Sequence, residues 1–232
     1  MIKFTCVDKT YPDGNKTLKN INLKIDKGEF VFLVGRSGAG KSTLLKLITR
    51  EEKTSKGSVS VLGSDITNIK VNKIHKYRRN IGIIFQDFKL LKDKTVYENV
   101  ELAMRVVGAA PNEIKPRVME VLQKVGIYHK CNKYPDELSG GECQRVGIAR
   151  AIVNKPSIII ADECTGNLDI ENSRKIVDLL ENINEEGVTI VMATHDIEIL
   201  KQYKKRIIAI DAGKIIEDTK KDVKRDCYED II

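Results

Sequence analysis

Three stretches of this 232-residue sequence combine residue types and spacings that suit phosphate chemistry. Gly35-Arg36-Ser37-Gly38-Ala39-Gly40-Lys41-Ser42 fits the pattern GxxxxGK[ST] and is followed by Thr43. Glycines let backbone N–H groups converge on phosphate oxygens with no Cβ in the way. A helix opening at Lys41 adds the partial positive charge of its N-terminus. In such a loop Lys41 reaches the β- and γ-phosphates and Ser42 offers a hydroxyl to Mg²⁺. The Lys41 ammonium is expected to stand open to solvent in the empty protein.

Ile158-Ile159-Ile160-Ala161-Asp162-Glu163 is the natural complement: an apolar strand ending in two acids. Ligands of open α/β sheets bind at that carboxyl edge. Asp162 is suited to hold Mg²⁺ through water, and Glu163 to orient or deprotonate an attacking water. Capping of the strand end alone is the plainer use of such acids. Leu138-Ser139-Gly140-Gly141-Glu142 repeats the physics of the loop, a hydroxyl and glycine N–H groups at a helix start. One nucleotide does not need two such sites in one chain. Two chains packed head to tail would use both on each nucleotide.

The elements that must position these residues follow from periodicity. Val31–Val34 reads as a strand, the Gly-rich turn follows, and Lys41–Thr49 reads as a helix. Val59–Leu62 and Ile81–Phe85 read as further strands. From Thr95 to Asn154 the spacing is helical, with Val118, Val121, Leu122 and Val125 on one face. Ser139 opens another helix, carrying Val146, Ala149, Ala151 and Ile152. After Pro156 the strands return at Ile158–Ala161, Val188–Ala193 and Arg206–Ile210, with a helix over Ile170–Ile183. Strands alternating with helices imply a parallel sheet covered on both faces.

Composition sets the outer bounds. Hydrophobic residues make up 41% and Pro only 5 residues, which excludes collagen-like, low-complexity and wholly disordered chains. There is no Trp and aromatics are 5%, which argues against a base-stacking platform. No apolar run approaches the roughly 18 residues of a membrane span, and Lys3, Asp8, Lys9 and Asp13 rule against a signal peptide. A cytoplasmic chain is expected, whose membrane role needs a partner that spans. The five cysteines (Cys6, Cys131, Cys143, Cys164, Cys227) form no CxxC and no zinc spacing, and read as reduced thiols. The net charge of +7 is spread along the chain, densest at Lys70, Lys73, Lys76, Arg78 and Arg79. That stretch is either a solvated helix face or a surface near anionic headgroups.

Taken together, the loop at 35–42, the LSGGE at 138–142, the acids at 162–163 and the His of Ala193-Thr194-His195-Asp196 resemble the nucleotide-binding domain of ABC ATPases, over nearly the whole chain. The resemblance implies an α/β P-loop core with a mostly parallel sheet (1–86 and 156–232), an antiparallel β subdomain and an inserted α-helical lobe (87–155). It also implies a homodimer around two Mg-ATP, with Ser139, Gly140, Gly141, Glu142 and Asp169 acting on the nucleotide of the other copy. By the same resemblance Gln86 senses Mg²⁺ and the membrane partner. Asn167-Leu168-Asp169 crosses the dimer interface, His195 meets the γ-phosphate and Tyr11 stacks on adenine. From the residues alone, Tyr11 could pack on Pro12, Gln86 could close a strand, and Asp169 could cap the helix at Ile170, a role that can coexist with one at the dimer interface.

Within the family, Ile84-Phe85-Gln86-Asp87-Phe88-Lys89-Leu90-Leu91 and Lys94-Thr95-Val96-Tyr97-Glu98-Asn99-Val100 resemble the FtsE-type cell-division branch. That implies a peripheral ATPase on the cytoplasmic face of the membrane and an FtsX-like partner controlling cell-wall hydrolases, docked near Phe88, Leu90 and Leu91. Thr165-Gly166-Asn167-Leu168-Asp169 is shared with lipoprotein-release and macrolide-export ATPases, which stand as the alternative. The short C-terminal stretch is expected to hold no regulatory domain. DNA-associated ABC ATPases carry long inserts between the motifs, and none is present; no nucleic acid partner is expected. Two positions depart from the family pattern. Cys143 stands where Gln, Arg or Lys is usual, and Cys164 stands where Pro is usual, which removes a backbone restraint next to Glu163.

Overall fold

The computed structural model describes residues 1–220; Cys227 and the last part of the C-terminal stretch lie outside the described residues. In chain order the elements are β1 (Ile2–Thr10), β2 (Lys16–Ile25), β3 (Phe30–Val34), α1 (Lys41–Ile48), β4 (Lys56–Val61), β5 (Ser64–Asp65), α2 (Val71–Arg78) and β6 (Ile81–Ile84). Then come α3 (Val96–Val107), α4 (Pro111–Lys124), α5 (Gly140–Ile152), β7 (Ile158–Asp162), α6 (Ile170–Glu185), β8 (Thr189–Ala193), α7 (Ile197–Gln202), β9 (Arg206–Asp211) and β10 (Lys214–Asp218). The chain divides into two compact units, Met1–Arg78 with the chain from Thr189 onward, and Arg79–Val188.

The first unit holds an antiparallel sheet in the order β2-β1-β4-β5. β1 is why this sheet is hard to read from alternation. Ile2 and Phe4 are buried, then Val7 and Lys9, so the buried face shifts by one residue. The slip sits at Cys6, whose φ of 50° kinks the strand and breaks its register with β2. Gly57 faces this kink, and a Cβ there would come within 2.3 Å of the Cys6 carbonyl oxygen.

The same unit holds β3 in parallel with β8 and β9, and β10 antiparallel to β9. Every residue of β3 and β8 is buried, as expected of strands covered on both faces. α2 is fastened to the end of α1: the Tyr77 hydroxyl donates to the Ile48 carbonyl, and Arg78 donates to the carbonyls of Thr49 (3.0 Å) and Arg50 (3.1 Å). Lys70, Lys73 and Lys76 are exposed.

The second unit pairs β6 and β7 in parallel, with Ile81 opposite Ile158 and Ile84 opposite Ala161. Between them the described elements are all helical. α3 opens with a capping box, Thr95 accepting from the Glu98 N–H while Glu98 accepts from that of Thr95, and ends at Gly108 in the left-handed region. α4 buries Val118, Val121 and Leu122 of the face read from the sequence, with Ile114 added, and Val125 is buried at its C-cap. α6 is started by the Asp169 side-chain cap and buries Ile176, Val177, Leu180 and Ile183.

Candidate nucleotide site

The parallel register brings the first unit's candidate residues to one sheet edge. Leu33 pairs with Ala193, so the loop after β3 and His195 after β8 leave the sheet side by side. The Thr194 N–H donates to the Leu33 carbonyl at 3.2 Å. His195 is exposed, and Asp196 behind it caps α7, accepting from Glu198 and Ile199.

The loop glycines are required by position. Gly35 has φ 146°, and a Cβ there would lie 2.1 Å from the Ile210 carbonyl oxygen. Gly40, at φ 112°, starts α1 in the left-handed region without a side-chain cap. The first N–H groups of α1 are therefore left for a ligand. Arg36, Ser37, Gly38 and Ser42 are exposed, while Ala39 and Thr43 are buried.

Lys41 corrects the sequence reading. It is only 7% exposed rather than open to solvent. Its ammonium turns back over the loop and donates to the carbonyls of Gly35 (2.6 Å) and Arg36 (3.3 Å). A buried cation must satisfy its donors, and the loop carbonyls are the acceptors in reach. Tyr11 is tied to the same helix turn, its hydroxyl 3.3 Å from Thr43 Oγ1, with the Lys9 ammonium 4.6 Å from its ring centroid.

In the second unit β6 and β7 deliver Gln86, Asp162 and Glu163 to their shared carboxyl edge. Glu163 has φ 48°, left-handed backbone for a non-glycine residue, in a turn closed by the Gly166 N–H on its carbonyl at 3.0 Å. The Gln86 carbonyl accepts from Asn167 Nδ2 at 3.1 Å, and a Cβ on Gly166 would lie 3.0 Å from the Gln86 amide nitrogen. The segment after Gln86 and the turn after Glu163 are thus in contact, a link that nothing in the spacing announced.

LSGGE forms the start of α5. Ser139 is the N-cap, its hydroxyl accepting from the Glu142 N–H at 3.3 Å, while the Glu142 carboxylate accepts from the Ser139 N–H at 2.8 Å. That backbone N–H holds the Glu142 carboxyl below its ordinary range, with Ser139 Oγ–H and Lys130 acting the same way. Asp169 caps α6, accepting from the N–H of Asn172 (2.8 Å) and from its side-chain amide (2.7 Å). Gly141 is buried against Asn172, where a Cβ would come within 3.2 Å. The two departures from the family pattern are both buried. Burial pushes the Cys143 thiol up, and the Cys164 thiol to about 12, so neither is poised for thiolate chemistry.

Serine hydroxyl, glutamine amide and aspartate carboxylate are hard oxygen donors of the kind Mg²⁺ takes when phosphates supply the remaining ligands. Residues 18–166 match the family model described as ABC transporter. The chain belongs to the ABC transporter family. It is 53% identical to the cell division ATP-binding protein FtsE of Bacillus subtilis, covering 94% of this chain and 96% of that one. It is 47% identical to the Escherichia coli protein of the same name, covering 93% and 97%. Among solved structures, an ATP-binding cassette captured as a dimer in a post-hydrolysis state with ADP and Pi superimposes with a TM-score of 0.84 at 38% identity, covering 94% of this chain and 97% of that one. As a member of this family the chain is an ABC-type ATPase built on the P-loop α/β fold.

Proposed function

We propose that this chain is the ATP-hydrolysing subunit of a cell-division complex, dimerising head to tail around two Mg-ATP and driving an FtsX-like membrane partner that controls cell-wall hydrolysis. The observation that carries the ATPase reading is the phosphate loop: glycines in backbone that only glycine adopts without strain, open helix N–H groups and the Lys41 ammonium held against the loop. The names borne by the similar proteins favour cell division over lipoprotein release or macrolide export. Among the described residues no helix is long and apolar enough to cross a membrane. The chain then sits peripherally on the cytoplasmic face through its partner.

In this reading the 35–43 backbone and Lys41 bind the β- and γ-phosphates, and Tyr11 stacks on adenine. Ser42, Gln86 and Asp162 would hold Mg²⁺, which supplies charge neutralisation at the phosphates. Glu163 aligns a water in line with the leaving oxygen, and His195 contacts the γ-phosphate. The second copy completes the site through its own Ser139, Gly140, Gly141 and Glu142, and its Asp169 approaches across the dimer. The helical stretch 87–155 acts as the lobe that carries LSGGE and meets the membrane partner. Phe88, Leu90 and Leu91 provide the docking surface; Leu91, with Leu102 and Val106 spaced along α3, leaves apolar side chains exposed. An apolar face of this kind suits a helix of the partner laid against it.

Lys41→Ala tests the loop. Titration with a fluorescent ATP analogue should show binding abolished, with the far-ultraviolet circular dichroism unchanged. Unchanged affinity would overturn the reading.

A further inference from the structure

The loop that follows Gln86 is held by the LSGGE helix. Phe88 has φ 57° and Lys89 φ 48°, two consecutive non-glycine residues in the left-handed region. Such backbone is strained in a residue with a Cβ and persists only where its surroundings hold it. Arg150, in the last turn of α5, does the holding. Its Nη2 donates to the Phe88 carbonyl and its Nη1 to the Lys89 carbonyl, both at 2.6 Å. A rigid, planar guanidinium meets two adjacent carbonyls with two separate nitrogens held in a fixed fork, a geometry that the single ammonium of a flexible lysine stem does not impose.

The contact runs along α5. The Phe88 ring reaches the helix's first residue, its Cζ 3.9 Å from where a Cβ on Gly140 would lie. The Phe88 carbonyl oxygen is 3.9 Å from the same point on Gly147. Arg150 has no carboxylate partner among the described residues, and it is partly buried. A cation placed only to complement the helix C-terminus would gain more from solvent and a nearby acid than from this fork. Its geometry serves the loop.

We propose that Arg150 is a positioning residue that locks Phe88 and Lys89 to α5, so that the partner-docking segment follows the LSGGE helix as one body. A nucleotide in contact with Ser139–Gly141 then acts on the segment 88–91 through a single rigid connection rather than through a slack loop. This rests on the reading of 88–91 as the docking segment.

The test uses the full chain alone and in vesicles with its FtsX-like partner, measuring ATP affinity and turnover in both settings. Arg150→Ala should keep affinity and turnover of the chain alone within about twofold, and lose at least about fivefold of the partner-dependent change in turnover. Arg150→Lys keeps the charge but loses the fixed two-nitrogen fork, and should fall between. Adding Lys89→Gly to Arg150→Ala relieves the strain without restoring the link, so coupling should stay lost. Coupling retained in Arg150→Ala and Arg150→Lys overturns the proposal. So does recovery of coupling with Lys89→Gly, which would reduce Arg150 to offsetting local strain. Parallel loss of turnover in the chain alone would make the role general folding and overturn it too. A wild-type complex with no partner-dependent change would remove the docking reading itself, and the proposal with it.

Discussion

Asn99 and Leu91 are joined by hydrogen bonds in both directions. The Leu91 N–H donates to Asn99 Oδ1 at 2.8 Å, and Asn99 Nδ2 donates to the Leu91 carbonyl at 3.0 Å. The same amide nitrogen is shared with the carbonyls of Lys94 (3.1 Å) and Thr95 (3.0 Å). Asn99 is 1% exposed, so one buried side chain closes the loop that leads into α3.

Asn99→Ala should therefore destabilise the chain by about 1–3 kcal/mol, the cost of leaving such groups unpaired. For a chain of this size that is a fall in melting temperature of roughly 2–4 °C per kcal/mol. Asn99→Asp keeps the acceptor but turns a charge toward three carbonyls, and should be no better tolerated. Thermal denaturation of both variants decides it; wild-type melting for Asn99→Ala would show the loop closes without this amide.

Asn99 shows where the sequence could be read and where it could not. It stood in a stretch marked by resemblance, yet nothing in its type or spacing says that it binds Leu91. Strands such as β3 and β7 were legible because burial on both faces leaves a continuous apolar run. β1 was not, because the kink at Cys6 breaks its alternation midway. The loop glycines were legible because only glycine suits their backbone. The fold of Lys41 onto its own loop was not, since it depends on carbonyls that spacing does not reveal. Arg150, and the bond of Asn167 to Gln86, escaped for the same reason: both act on backbone carbonyls far away in sequence.

The LSGGE cap should carry a pH signature. The Glu142 carboxyl is held below its ordinary range, chiefly by the Ser139 N–H. A carboxyl depressed in the folded state adds stability above its unfolded value of about 4.3, and that stability is lost as pH falls through the lower folded value. Glu142→Gln removes the charge. It should lower stability by about 0.5 kcal/mol near neutral pH, the scale of an exposed charge at a helix start. The gap between wild type and variant should close on acidification below about pH 4. Chemical denaturation across that range measures it, and a gap that widens in acid would contradict the cap as described.

Glu163→Gln should bind ATP, turn over on the order of 100-fold more slowly or worse, and accumulate as an ATP-bound dimer. The amide keeps the shape of the carboxylate but loses its charge and basicity. The left-handed turn at Glu163 is set by backbone hydrogen bonding at Gly166, which the substitution leaves in place. Size-exclusion chromatography with ATP and Mg²⁺, beside a phosphate-release assay, reads both effects. A monomeric variant with near-normal turnover would mean that another group aligns the water.

Leu90→Asp separates interface from core at the segment proposed to meet the membrane partner. Leu90 is half-buried and Leu91 is 39% exposed, and the backbone on either side is pinned by Arg150 at Phe88 and Lys89 and by Asn99 at Leu91. A segment held by its backbone has its side chains left over for a partner. The isolated Leu90→Asp chain should then keep its melting temperature within a degree or two and keep ATP binding, because an aspartate at a half-exposed position retains access to water. In the complex it should fail to co-purify with the membrane protein, since docking would bury that charge without a counter-ion at a cost of several kcal/mol. If Leu90 instead packs as core, burying the carboxylate within the chain itself should cost a few kcal/mol and lower the melting temperature by several degrees before any partner is added. Co-purification at wild-type levels with an unchanged melting temperature would remove Leu90 from both roles and move the docking surface elsewhere on the lobe.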